Sequence, residues 1–130
     1  MRTTRKFCHT ASVLLASVFA AVAVAAAPPP EVVAEIDHLL AFVEGSECVF
    51  LRNGDAHEPA DAAKHIRRKY DHFKKKIDTT DDFIKRSATG SLMSGKPYQV
   101  KCPPGDEVQL TAEWLRAELA RYRDRTPSLQ

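Results

Sequence analysis

From Glu31 onward the apolar residues Val32, Val33, Ile36, Leu39, Leu40 and Val43 recur at steps of three and four, one stripe on a helical wheel. Glu31 and Glu35 suit the start of that helix, and Gly45 its end. The period then changes to two. Cys48, Phe50 and Arg52 fall on one side of an extended segment and Val49 and Leu51 on the other. Asn53-Gly54 follows, the residue pair that a tight type I′ hairpin turn requires. Pro59 fits the first turn of a second helix. That helix is expected to run to about Lys76 or Ile77 on a seam of Ala63, Ile66, Tyr70, Phe73 and Ile77. Thr79 or Thr80 can cap a short third helix through Phe83, Ile84 and Ala88, ended by Gly90. A flexible loop, Ser91 to Lys96, leads to a strand with Tyr98, Val100 and Cys102 on one face. Pro103-Pro104-Gly105-Asp106 reads as a turn and Val108 and Leu110 as a short return strand. Thr111 is expected to cap a last helix carrying Trp114, Leu115, Leu119 and Tyr122. The pattern predicts an α+β fold: a small single domain of about four helices with two short β-hairpins.

The first residues read differently. Arg2, Arg5 and Lys6 precede an uncharged Ala, Val, Leu and Phe run, and Ala23-Val24-Ala25 offers small residues for a peptidase. This is the layout of a secretory signal peptide over residues 1–25, cut after Ala25 or Ala26. The run is short and Ala-rich for a membrane anchor, which needs about 20 strongly apolar residues. Residues 26–30 then form a Pro-rich leader, 31–123 the domain and 124–130 a flexible tail. The segment carries three of the 19 basic residues and none of the 17 acidic ones, so the remainder holds 16 against 17, a net charge of −1. Global charge therefore gives no argument for nucleic acid.

Cys48 and Cys102 remain after cleavage. An even cysteine count in an exported chain reads as a disulfide, here tying the first hairpin to the second. Such a bond also predicts that their strands are neighbours in one small sheet.

The order of these pieces resembles an uncharacterised, domain-of-unknown-function family of short secreted proteobacterial proteins. The resemblance rests on Glu35-Ile36-Asp37-His38-Leu39-Leu40 leading to Cys48-Val49-Phe50-Leu51-Arg52-Asn53-Gly54. It continues through Ala62 to Tyr70, Asp82-Phe83-Ile84, Ser94-Gly95-Lys96-Pro97-Tyr98 and Glu113-Trp114-Leu115. It implies a signal-bearing, periplasmic domain. It supplies no activity, ligand, cofactor or catalytic residue.

Several side chains are candidates for chemistry. Lys64, Arg67, Arg68, Lys69, Lys74, Lys75 and Lys76 make the second helix strongly basic against Asp71. Such a face can hold an acidic protein partner or an anionic envelope component, or simply be solvated. No aromatic residues are interleaved there for base stacking, which argues against nucleic acid. Asp61, His65 and His72 fall near one stripe of the same helix and could bind a metal weakly, with His57 just upstream, though no complete ligand motif is present. His38 lies off the first helix's stripe and is expected in solvent. Ser94, with Lys96 close by, is the best candidate nucleophile for a small hydrolase. It lacks the G-x-S-x-G elbow and the Ser-x-x-Lys spacing. Arg52, Tyr98 and the loop Ser91–Lys96 could form a recognition surface. Alternatively Tyr98 packs in the core, and Arg52 pairs with Asp55 or Glu58. The leading expectation is a non-enzymatic exported domain that binds a protein partner or anionic envelope component. A metal-binding protein and a small hydrolase are the alternatives. No cofactor is implied, and no transmembrane span remains after cleavage.

Overall fold

A computed structural model describes residues 27–127. The signal peptide expected over residues 1–25, its cut site and the last three residues of the tail lie outside them. The described chain forms helix α1 (Pro30–Glu44), strands β1 (Val49–Arg52) and β2 (Asp55–His57), and helix α2 (Pro59–Phe73). Helix α3 (Thr80–Phe83), strands β3 (Gln99–Lys101) and β4 (Val108–Leu110) and helix α4 (Thr111–Arg125) complete it. The two hairpins merge into one antiparallel sheet of order β2-β1-β3-β4. In its centre Val49, Phe50 and Leu51 face Lys101, Val100 and Gln99. Asn53 and Gly54 take φ of 54° and 88°, the two left-handed positions of the turn that sends β1 into β2.

That central register brings Cys48 and Cys102 to the same end of neighbouring strands, where they form a disulfide with Cα atoms 4.2 Å apart. One face of the sheet packs on the helices. Ile36, Leu39, Phe83, Ile84, Val100 and Leu115 are almost wholly excluded from water. Burial of each such side chain is worth about 1.5–3 kcal/mol. Trp114 stacks on Phe42 at 4.5 Å and meets Phe50 edge-on at 5.6 Å, so one ring joins α4, α1 and β1. The other sheet face leaves Val49, Val108 and Leu110 partly in solvent.

Helix boundaries follow local chemistry. Thr79 accepts from the Asp82 amide while the Asp82 carboxylate accepts from the Thr79 amide, a complete capping box for α3. The backbone then widens into a π turn over Ile84–Ala88. Thr111 does not cap α4. Leu110 occupies the cap position without a side-chain bond, and Thr111 is the first helical residue. Helix α2 ends at Phe73, and Lys74–Lys76 form a separate 3-10 turn.

Three polar residues are more engaged than expected. His38 is half-buried rather than solvated. Its ring stacks on Tyr122 at 4.2 Å and its Nε2 lies 2.8 Å from Glu118. Burial alone would raise the Glu118 carboxyl, but the hydrogen bonds from His38, Arg121 and Arg125 outweigh it and hold the group below its ordinary range. Helix α4 runs to Arg125, two residues into the tail expected over 124–130, and Arg123 makes a two-pronged bond to Glu35 at 2.6 and 2.9 Å. The loop after α3 is closed by Ser91 and Gly95 backbone bonds and tied to the β1–β2 turn by Ser94 Oγ donating to Asn53 Oδ1 at 2.6 Å. No helix among the described residues is long and apolar enough to cross a membrane.

Candidate functional site

The two-residue period of β1 puts Arg52 on the same face as Phe50, pointing toward α2. The helical period of α2 puts Asp61, His65 and Arg68 on the facing side. Tyr98, immediately before β3, and Thr111, at the start of α4, are joined by a 3.0 Å bond from the Thr111 amide to the Tyr98 carbonyl. Together with His57 at the end of β2 these residues line a cavity of about 240 Å³. Its apolar wall is Phe50, Ala62 and Ile66.

His65 is the centre of the polar network. Arg52 Nη1 lies 2.7 Å from its Nδ1, and Tyr98 Oη lies 3.0 Å from its Nε2. A guanidinium can only donate, so Nδ1 must be the unprotonated acceptor. The ring proton then resides on Nε2 and is donated to the Tyr98 oxygen. Burial, followed by the charges of Arg52, Lys69 and Arg68, holds the His65 pKa down at about 4. The ring is therefore neutral at physiological pH.

Lys69 supports the network from behind. Its ammonium donates to the Gly90 carbonyl at 2.6 Å and toward Tyr98 Oη at 3.4 Å, and lies 4.9 Å from the Tyr98 ring centre. Sequence patterning placed Lys69 on the solvated face of the helix. It is instead 8% exposed. The long stem lets the charge reach a carbonyl that the helix wheel cannot show. Desolvation lowers the Lys69 pKa. Burial raises that of Tyr98, which stays a phenol.

The site has more donors than acceptors. The Tyr98 oxygen receives His65 and Lys69, yet neither contact supplies an acceptor for the phenolic proton. Thr111 Oγ1 and His57 Nε2 are buried without a hydrogen-bond partner. Lys64 and Arg68 add two exposed cations to the lining, against the single carboxylate of Asp61. Such a cavity is chemically suited to receive an oxygen acceptor that carries negative charge.

The other candidates are dispersed. Lys74, Lys75 and Lys76 lie exposed on the turn after α2, away from this lining, with Lys74 Nζ 5.7 Å from the Tyr70 ring centre. Arg67 approaches Asp37 at 3.8 Å. The basic helix is thus not one continuous cationic face. Asp61 and His65 share the cavity but His72 does not. It is exposed and meets Phe73 edge-on at 4.7 Å. Both His65 nitrogens are engaged by protein. Among the described residues no three His, Cys, Asp or Glu side chains are gathered to hold a metal. Ser94 is bonded to Asn53, and Lys96 is exposed. The Arg52 partner is His65, not Asp55 or Glu58, and Tyr98 combines core packing with a polar tip at the cavity. Thr111 was not singled out for this site by sequence, and His57 only as a neighbour of the metal stripe, because their role arises from lacking a partner after folding.

The class is a disulfide-stapled α+β domain with a basic, acceptor-poor cavity between its sheet and second helix. Residues 30–123 match the family of unknown function DUF5329, and the chain belongs to it. It is also similar to the uncharacterized protein YfeK of Salmonella typhimurium, 41% identical over 60 residues, covering 46% of this chain and 50% of YfeK. The match thus spans half the length of that relative. No solved structure matches the chain.

Proposed function

We propose that this protein is an exported, non-enzymatic domain that binds an anionic group of an envelope component in the cavity built by Arg52, His65, Tyr98 and Thr111. The observation that carries the reading is the donor surplus. The network is filled by donors, and its unmet proton and orphaned hydroxyl call for an acceptor from outside. Export is supported by the signal-peptide layout of residues 1–25 and fits the disulfide. The cationic rim of Lys64 and Arg68 would draw an anion in, with Arg52 at the mouth of the buried network.

Native mass spectrometry on protein recovered from the periplasm of a proteobacterial host tests this. The expected species is a chain processed near Ala25, with one disulfide and an organic-anion adduct that Arg52→Gln loses. A full-length reduced chain in the cytoplasm would overturn export. Wild-type protein that never carries an anion, even when exchanged into millimolar acetate or phosphate, would overturn the binding role.

A further inference from the structure

We infer that the occupant is a small monoanionic carboxylate with an apolar body, and that Thr111 is a ligand-contacting residue whose hydroxyl is kept for that purpose. This rests on the anion-binding reading above and narrows it to one ligand chemistry.

The size of the cavity comes first. About 240 Å³ is on the order of eight waters' share of liquid volume. It lies below the roughly 300–1,000 Å³ common for drug-sized ligands. A long polyanion or a lipopolysaccharide head group could not be enclosed, whereas a short organic acid could.

The lining decides between anions. The cations about the network are Arg52, Arg68, whose Nη2 lies 3.5 Å from His65 Nδ1, and Lys69, which sits behind Tyr98 on the Gly90 carbonyl, while His65 is neutral. Lys64 and Arg68 are exposed at the rim, and Asp61 opposes them. Positive charge is therefore available to any anion, and the rest of the wall chooses among them. A phosphate, polar on every side, would leave oxygens against the apolar wall without partners, which is costly. The remaining wall of Phe50, Ala62 and Ile66 gives no polar partner to a second anionic group and favours a hydrocarbon body.

Thr111 supplies the independent observation. It is 1% exposed, lines the cavity, and its Oγ1 has no partner. A buried unpaired hydroxyl is a cost to the folded state, and a valine of the same shape would remove it. A purely structural role therefore predicts that Thr111→Val is harmless or stabilising and nothing more. A ligand-contacting role predicts the same stability change together with weaker binding.

The test is a pair of NMR titrations of the ¹⁵N-labelled oxidised chain, with sodium butyrate and with inorganic phosphate, at matched ionic strength and pH 7. Butyrate is expected to give saturable shifts at Arg52, His65, Tyr98 and Thr111, at least about tenfold tighter than phosphate. Thr111→Val is expected to bind butyrate about fivefold more weakly, as for one lost hydrogen bond, while melting no lower than wild type. Phosphate binding tighter than butyrate would overturn the carboxylate assignment and leave the anion-binding reading standing. No saturable shift with either probe would overturn both. Unchanged butyrate affinity in Thr111→Val would overturn the role of Thr111. Should that variant melt lower, Thr111→Ser, which keeps the hydroxyl, provides the comparison: butyrate affinity within about twofold of wild type is expected, and affinity as weak as that of Thr111→Val would overturn the role of Thr111.

Discussion

Removing the Cys48–Cys102 bond should cost this domain much of its stability, and the size of the loss can be worked from the fold. The bond closes a loop with a sequence separation of 54. For a loop of that length, the chain-entropy model gives ~4 kcal/mol of stabilisation through restriction of the unfolded chain. Domains of this size shift by roughly 4–8 °C per kcal/mol, so the midpoint should fall by roughly 15–30 °C. The native sheet should survive, because Val49, Phe50 and Leu51 keep their partners on β3 without the covalent link. Urea unfolding and calorimetry of oxidised wild type, reduced wild type and the Cys48→Ala/Cys102→Ala double variant would measure this. Agreement between the reduced and double-variant proteins would separate the lost constraint from lost packing at Cys48, which is 7% exposed. A loss below about 1 kcal/mol in both would refute the argument and mean that the unfolded chain is already held compact.

The remaining predictions concern the site. The His65 pKa is depressed in the folded state to about 4 from an ordinary 6.5, so its stabilising effect is complete above pH 6.5 and declines as pH falls toward 4, where the unfolded chain takes a proton the native ring refuses. Between pH 7 and pH 5 this should remove about 1 kcal/mol, allowing for solvent screening of a half-buried ring, and His65→Gln should flatten that part of the curve. Identical pH slopes for wild type and variant in urea titrations would contradict it. Gly90→Ala should destabilise by about 1–3 kcal/mol through overpacking, since a Cβ there would sit 2.9 Å from the Lys96 carbonyl oxygen, backbone that cannot easily give way. A wild-type melting temperature in that variant would show that the loop yields.

Much of the fold was legible because it is written in periodicity. The α1 stripe, the Asn53-Gly54 turn, the capping residues before α3 and the paired cysteines each carry a local signal whose physics needs only near neighbours. The neighbouring of β1 and β3 followed from the cysteines, since a disulfide requires close Cα atoms. The cap at Thr111 failed because Ser and Thr signal a helix start only to within a residue or so.

The site was less legible. Arg52, His65 and Tyr98 were candidates in separate hypotheses, a recognition surface and a metal stripe, and the fold joins them in one network. The helical wheel put Lys69 outside because it reports where a Cα points, not where a long side chain finds an acceptor. The amino-acid sequence by itself determined the class of fold, the turn and the disulfide, set by local period and the cysteine count. Tertiary structure decided the His65 tautomer, the burial of Lys69 and the unmet hydroxyl of Thr111. Each depends on groups from different elements meeting where water is excluded, and no local pattern along the chain encodes such a meeting.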